Sequence, residues 1–312
     1  GNTSGTVNAA TITTLTGLAA DVNVAYVANI AGTLSGLGDE SVTISDTTIG
    51  AHVLNTLNGY TTGVVNAASV LTLNGTYSDV NASYAGNNSS TISGLGNEAV
   101  TLSDLSISAT NLSSIDALTS GTVTSSAITI TGTFTELNSV YTANTAGTIA
   151  GLGNEAISAS GSLTVTQVNT LAGYTTGVLT ATVSDNDMST LNGITESGHA
   201  LTISVTDASV AASNLNTLDS KTTVAINAAT VTTLTGTAAA ANTAYASNGI
   251  SGLGNEAVTI SDTELASSVL NTLDGNTTGA VNAATVTTLT GTAATANTAY
   301  ASNGISGLGN EA

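Results

Sequence analysis

The sequence predicts a repeat solenoid of mixed α/β type, with short parallel strands and short helices stacked in coils. Three observations predict it. One heptapeptide string recurs along the chain, apolar positions alternate between period two and period 3.6 inside each recurrence, and there is no proline in 312 residues. A short strand and a two- or three-turn helix cannot cover their own apolar stripe, so neighbouring coils must do it. Proline would remove a strand N–H that the next coil needs.

The string Ser-Gly-Leu-Gly-Asn-Glu-Ala stands at 93–99, 251–257 and 306–312, with close variants at 35–41 and 150–156. Its starts are 58, 57, 101 and 55 residues apart, and the long gap contains a shortened unit with Glu196-Ser197-Gly198-His199-Ala200 in place of the string. The chain therefore divides as one continuous array over 1–312, with units near 1–40 (partial), 41–98, 99–155, 156–199 (shortened), 200–256 and 257–312. Tyr84 and Tyr141 precede their Gly-Leu-Gly by ten residues and Tyr245 by seven, so three residues have left one loop. A loop can absorb that change while the packed parts stay in register.

Within a unit the elements follow in order. Ala257-Val258-Thr259-Ile260-Ser261 alternates as a strand does, and Asp262 or Thr263 then offers a helix cap. Leu265, Val269, Leu270 and Leu273 form one helical stripe, with Gly275 as its C-terminal stop and Thr277 in a turn expected to tolerate an acid. Equivalent stripes run through Ile49, Val53, Leu54 and Leu57, and through Val210, Leu215 and Leu218. The second half opens with Gly279-Ala280-Val281-Asn282-Ala283 and continues into Val286–Gly291. Its helix is clearest after Thr133, where Phe134, Leu137, Val140 and Tyr141 share a face and Glu136 sits in the first turn, where the helix dipole favours an acid. Leu18, Val22, Tyr26 and Tyr77, Val80, Tyr84 repeat that face, and Asn248-Gly249 ends the helix in its own unit. Like stacked on like would turn single Val, Ile and Leu positions into ladders. The competing fold is an all-β helix, since Thr and Val also favour strands.

Charge narrows the function. One basic residue, Lys221, faces 20 acids, giving a net charge of −19, which repels nucleic acid and anionic membranes. There is no cysteine for a disulfide, a thiolate or a metal thiolate, and no apolar run long enough to span a bilayer. The true termini and any export signal are expected outside this sequence.

Strings such as Gly-Leu-Gly-Asn-Glu-Ala-Val-Thr-Ile-Ser-Asp-Thr, Val-Leu-Asn-Thr-Leu-Asp-Gly-Asn-Thr-Thr-Gly and Val-Thr-Thr-Leu-Thr-Gly-Thr-Ala-Ala resemble the tandem repeats of very large secreted or cell-surface proteins of marine picocyanobacteria. The resemblance covers nearly the whole chain and implies an extracellular structural or surface-interaction role. It transfers no catalytic residue.

Site by site, the sequence offers little chemistry. Asn255, Glu256 and Asp262 are oxygen donors that could hold calcium, although neither a Gly-Gly-x-Gly-x-Asp nonapeptide nor an EF-hand loop is present. The duller expectation is that Glu40, Glu98, Glu155, Glu256 and Glu311 are solvated turn acids. Two coils per repeat would then set equivalent glutamates about 10 Å apart. His52 and His199 occupy different phases of the repeat and are expected as surface substitutions, and no Ser or Thr recurs beside a base. The tyrosines at 26, 84, 141, 245 and 300 lie on the apolar stripe and are expected as core or semi-buried residues with the hydroxyl at the edge, rather than as a carbohydrate-stacking row. Sequons at Asn2, Asn74, Asn81, Asn87, Asn88, Asn111 and Asn276 suit a chain this rich in Asn and Thr. The expectation is a non-enzymatic structural protein without cofactors, forming an extracellular fibre, filament or surface layer through self-association or neighbouring repeats. The alternative is an adhesin stalk whose carbohydrate or cell-surface ligand is bound by a domain outside this segment.

Overall fold

A computed structural model describes residues 4–309 and 311, so the sequon at Asn2 lies outside the described residues. The chain forms two compact units, Gly1–Ala156 and Ile157–Ala312. Each is an α/β arrangement of short parallel strands and short helices. The first carries α1 (Ala19–Ile30), α2 (Ala51–Tyr60), α3 (Tyr77–Asn88), α4 (Ala109–Asp116) and α5 (Phe134–Ala146). The second carries α6 (Val165–Ala172), α7 (Met188–Leu191), α8 (Ala212–Asp219), α9 (Ala238–Ala246), α10 (Ser267–Asn276) and α11 (Ala293–Ala301). The helical stripes are helices, so the all-β alternative does not hold.

Their starts follow from local chemistry. Thr133 caps α5 in a reciprocal box with Glu136, and the Thr133 N–H together with the hydroxyls of Thr110 and Thr133 holds the Glu136 carboxyl below its usual range. Leu137, Val140 and Tyr141 turn inward from that start, whereas Phe134 is only half-buried. Leu270 and Leu273 are fully buried on α10, each worth roughly 1.5–3 kcal/mol relative to exposure.

Three expected boundaries move. Leu265 is buried but belongs to a strand, Glu264–Ala266, whose register sets Leu265 opposite Leu289. Ile49 and Val210 likewise lie on the strands Thr48–Gly50 and Ser209–Ala211. The helix therefore starts after Ala266, and neither Asp262 nor Thr263 is its cap. The triplet Glu264–Ala266 alternates with period two and pairs as a second strand ahead of the helix. Gly275 lies inside α10, which ends where Thr277 becomes extended. Thr277 is not a tolerant turn residue: it is buried, its hydroxyl donates to the Glu256 carbonyl at 2.7 Å, and the Gly279 N–H donates to that hydroxyl at 3.0 Å.

The stacking also differs from like upon like. In the first unit Ile49 pairs with Leu73, Leu73 with Val100, Val100 with Val123 and Val123 with Ile149, all parallel. A separate ladder joins Leu15, Val42, Val65 and Ile92. Val42 and Val100 are equivalent by sequence, yet they belong to different sheets. The cause is arithmetic. Two rungs from Ile49 to Val100 advance 51 residues, seven short of the 58-residue repeat, and seven is the step from Val42 to Ile49. Each repeat thus places its first strand on the ladder that carries its predecessor's second strand. Glu40 and Glu98, just ahead of these strands, consequently do not form one column at two-rung spacing, and the 10 Å expectation falls.

The second unit keeps the same remainder. Val210, Leu234, Val258, Val281 and Ile305 form its ladder. Leu73 to Val100 is a step of 27 residues, and Leu234 to Val258 a step of 24. The three missing residues come out of the helix rather than a loop, α9 having 9 residues against 12 in α3 with the connection to the next strand unchanged in length, while the rung survives.

Candidate functional site

The recurring feature is a turn closed on a buried glutamate. Glu40, Glu98, Glu155 and Glu256 are 0–2% exposed, which overturns their reading as solvated acids. Burying a carboxylate requires donors. At the end of the first full unit, 41–98, the N–H groups of Gly96 and Asn97 donate to Glu98 Oε2 at 2.8 and 3.1 Å, and the Tyr84 hydroxyl donates to Oε1. Glu155 receives the N–H groups of Gly153 and Asn154 and the Tyr141 hydroxyl in the same way. The turn itself depends on glycine: Gly94 has φ +88°, and a Cβ there would sit 2.6 Å from the Ala68 nitrogen.

Tyr26, Tyr84 and Tyr141 are core residues, each 2% exposed, and Tyr245 is half-buried, but the Tyr84 and Tyr141 hydroxyls meet buried glutamates instead of lying at the edge. Burial, and then the bond to Glu98 or Glu155, pushes the Tyr84 and Tyr141 phenols well above their ordinary range. Burial pushes Glu40 upward, but the facing Tyr26 hydroxyl and the N–H groups of Gly38, Glu40 and Asp39 outweigh it, and its pKa is lowered. Where the helix is three residues shorter, the bond changes oxygen. Tyr245 donates to Glu256 Oε2 at 3.0 Å, beside the N–H groups of Gly254 and Asn255. At the far end Tyr300 keeps its bond to Glu311 at 2.8 Å although it is 51% exposed.

The three calcium candidates are placed as follows. Glu256 is inside the turn, Asn255 is exposed and contributes its N–H to Glu256, and Asp262 Oδ2 accepts the N–H of Ala238 at 2.8 Å. Among the described residues no group of three or more His, Asp or Glu side chains is gathered as a metal site would require.

Asp262 belongs, with Asp46 and Asp104, to the aspartates that follow the turn glutamates by six residues, and the structure sets these carboxylates at helix starts. Asp46 caps Ala19, Asp104 caps Tyr77, Asp185 caps Val165 and Asp207 caps Met188, each at 2.6–2.7 Å from the first helical N–H. Each acid comes from 19 to 27 residues further along, so a later segment supplies the anion that the earlier helix terminus favours. Asn55 similarly donates from α2 to the Asp79 carbonyl on α3, and Asn271 from α10 to Thr295 on α11. A third series is legible in the spacing. Thr61, Thr119 and Thr277 follow Glu40, Glu98 and Glu256 by 21 residues, and each hydroxyl donates to that glutamate's carbonyl at 2.6–2.7 Å.

His52 is exposed, as expected. His199 is not: it is 7% exposed and occupies the position of the glutamate in the shortened unit. Its Nδ1 accepts the Leu179 N–H at 3.2 Å, while its own carbonyl accepts the Thr223 N–H at 2.9 Å. A cleft between Ser4–Val7 and Gly32–Leu34 has only small aliphatic and hydroxyl lining, with no acid or base. No helix among the described residues is long and apolar enough to cross a membrane. Comparison of the chain with protein-family models, with curated proteins and with solved structures finds no match.

Proposed function

We propose that this chain is a non-enzymatic structural protein, a solenoid of stacked coils built into an extracellular fibre, filament or surface layer. The observation that carries this reading is that its recurring polar groups bind the neighbouring coil. Asp104 caps α3, Thr119 holds the Glu98 carbonyl and Asn55 bridges α2 to α3. Coils whose hydrogen bonds are completed by the next coil gain stability by addition, which is the energetic basis of an extended array. The acidic, cysteine-free composition suits a place outside the cell, where the net charge of −19 keeps copies apart until salt screens it.

Electron microscopy of the purified chain tests the reading. Filaments with regular chain-to-chain junctions support it. Isolated thin rods that never join, whatever the salt, would assign the chain to a stalk instead.

A further inference from the structure

We infer that the outward face of α1 is a self-complementary contact through which two copies of this chain pair side by side. Val24, Val27 and Ile30 lie on that face at 68, 54 and 69% exposure, and Leu18 at the helix start is 49% exposed. The face is not one that a neighbouring coil would cover. In α3, which packs against both α2 and α4, the equivalent residues Ala82, Ala85 and Asn88 are exposed too. In α5 they are Ser139, Thr142 and Thr145, again exposed. The outward positions are thus small or polar in α3 and α5, and aliphatic in α1. Leu18 makes the same exchange at the cap: Thr76 and Thr133 accept a backbone N–H from their helices, and Leu18 has no group to do so. Giving up a threonine cap costs about 1 kcal/mol, and a large exposed aliphatic side chain gains nothing in return unless something covers it.

Charge and area select the occupant. The chain is at −19, and α1 carries Asp21 and no basic residue in its last turn, so it lacks the basic polar face with which amphipathic helices lie on membranes. The exposed Asp21 stands in the same row between Leu18 and Val24, and beyond it Val24, Val27 and Ile30 are uncharged, so a partner must meet these three with an uncharged aliphatic surface of matching small knobs. A second α1 provides one. Antiparallel pairing about a two-fold axis would also keep the two Asp21 carboxylates at opposite ends. Four side chains offer a few hundred Å² per copy, below the roughly 800 Å² per partner of a standard stable interface. The pairing is therefore weak and appears when salt screens the charge. Being isologous, it closes at two copies. It does not depend on the filament reading, since a missing dimer leaves coil stacking untouched.

Sedimentation velocity of the full chain, over a range of concentrations in dilute buffer and in roughly 1 M NaCl, where the Debye length is about 3 Å, tests the pairing. The expected result is a monomer in dilute buffer and a concentration-dependent dimer at high salt. The variant Val24→Ala, Val27→Ala, Ile30→Asn carries the outward residues of α3, which the fold already accepts. It should bind itself at least tenfold more weakly with an unchanged circular dichroism spectrum. A wild-type chain that stays monomeric throughout, or a variant that dimerises equally, overturns the inference. Flotation with neutral phosphatidylcholine vesicles that is lost in the variant, without any dimer, would overturn it in favour of a lipid surface.

Discussion

Tyr84, near the end of α3, donates its hydroxyl to the carboxylate of Glu98, fourteen residues later, and both side chains are almost wholly buried. The bond ties the helix of one coil to the turn that starts the next strand. Tyr84→Phe removes a donor from a buried anion and should destabilise the chain by about 2 kcal/mol. Tyr300→Phe, at a pair half open to water, should cost well under half of that. Denaturant midpoints at neutral pH compare the two, and equal shifts would deny the buried pair its role.

Leu273 and Thr277 are both buried near the end of α10, for different reasons. Leu273→Asp places an unpaired charge in the core and should cost several kcal/mol. Thr277→Val keeps the shape but removes the donor to the Glu256 carbonyl and the acceptor of the Gly279 N–H, at about 1–3 kcal/mol. Thr272→Asp, on the exposed face of α10, should change stability by about 0.5 kcal/mol or less. A Thr277→Val variant that melts like Thr272→Asp would return Thr277 to the status of a turn residue.

His199 should make the second unit acid-sensitive. Burial pushes its ring below the ordinary 6.5, against a smaller opposing effect of the Glu196 charge. Its Nδ1 accepts a backbone N–H, which an imidazolium cannot do. As pH falls below about 6.5 the unfolded ring binds a proton before the folded one, so the unfolded state holds more protons and stability drops. Glu40, with a lowered pKa, adds its own loss only as pH falls below the ordinary carboxylate value. Urea midpoints at about pH 7.5 and about pH 5.5 should separate in the wild type and converge in His199→Gln. Parallel behaviour of the two proteins would exclude the ring as the source.

Calcium should add little. Glu256 is enclosed by its own turn, and Asp262 is bonded to the start of α9. At matched ionic strength, millimolar calcium should leave the melting temperature unchanged, and Asp262→Ala should lower stability by about 1 kcal/mol with or without it. A saturable rise in melting temperature that vanishes in Glu256→Gln or Asp262→Asn would establish a site at these residues.

The shortened unit 156–199 should open first. Its strand Ala156–Leu163 shifts register against Leu179–Val183 between Ser158 and Ser162, Gly161 there has φ +79°, and α7 has four residues. Fewer completed rungs mean less neighbour stabilisation. Hydrogen exchange should be faster there than over 257–309. Equal protection in the two regions would count against this.

Much of the fold was legible in the sequence because its causes are local. The stripe Leu270, Leu273, the inward Tyr phase and the Thr133–Glu136 box depend on residues three or four apart, and an α-helix sets that spacing by itself. The repeat and its three-residue deletion could be counted. What only the tertiary structure decided is which residue stands above which. Whether Val100 lies over Val42 or over Leu73 depends on how far the chain runs before a strand pairs back on an earlier one, and the seven-residue remainder that decides it has no local signature. The same closure carried Glu98 out of water, set Asp104 at a helix start 27 residues behind it and brought Thr277 under the carbonyl of Glu256. A carboxylate on a glycine turn reads as solvated because two of its donors, such as the Gly96 and Asn97 N–H groups beside Glu98, look like ordinary turn amides, and the third, the Tyr84 hydroxyl, reaches it only once the preceding helix packs over the turn.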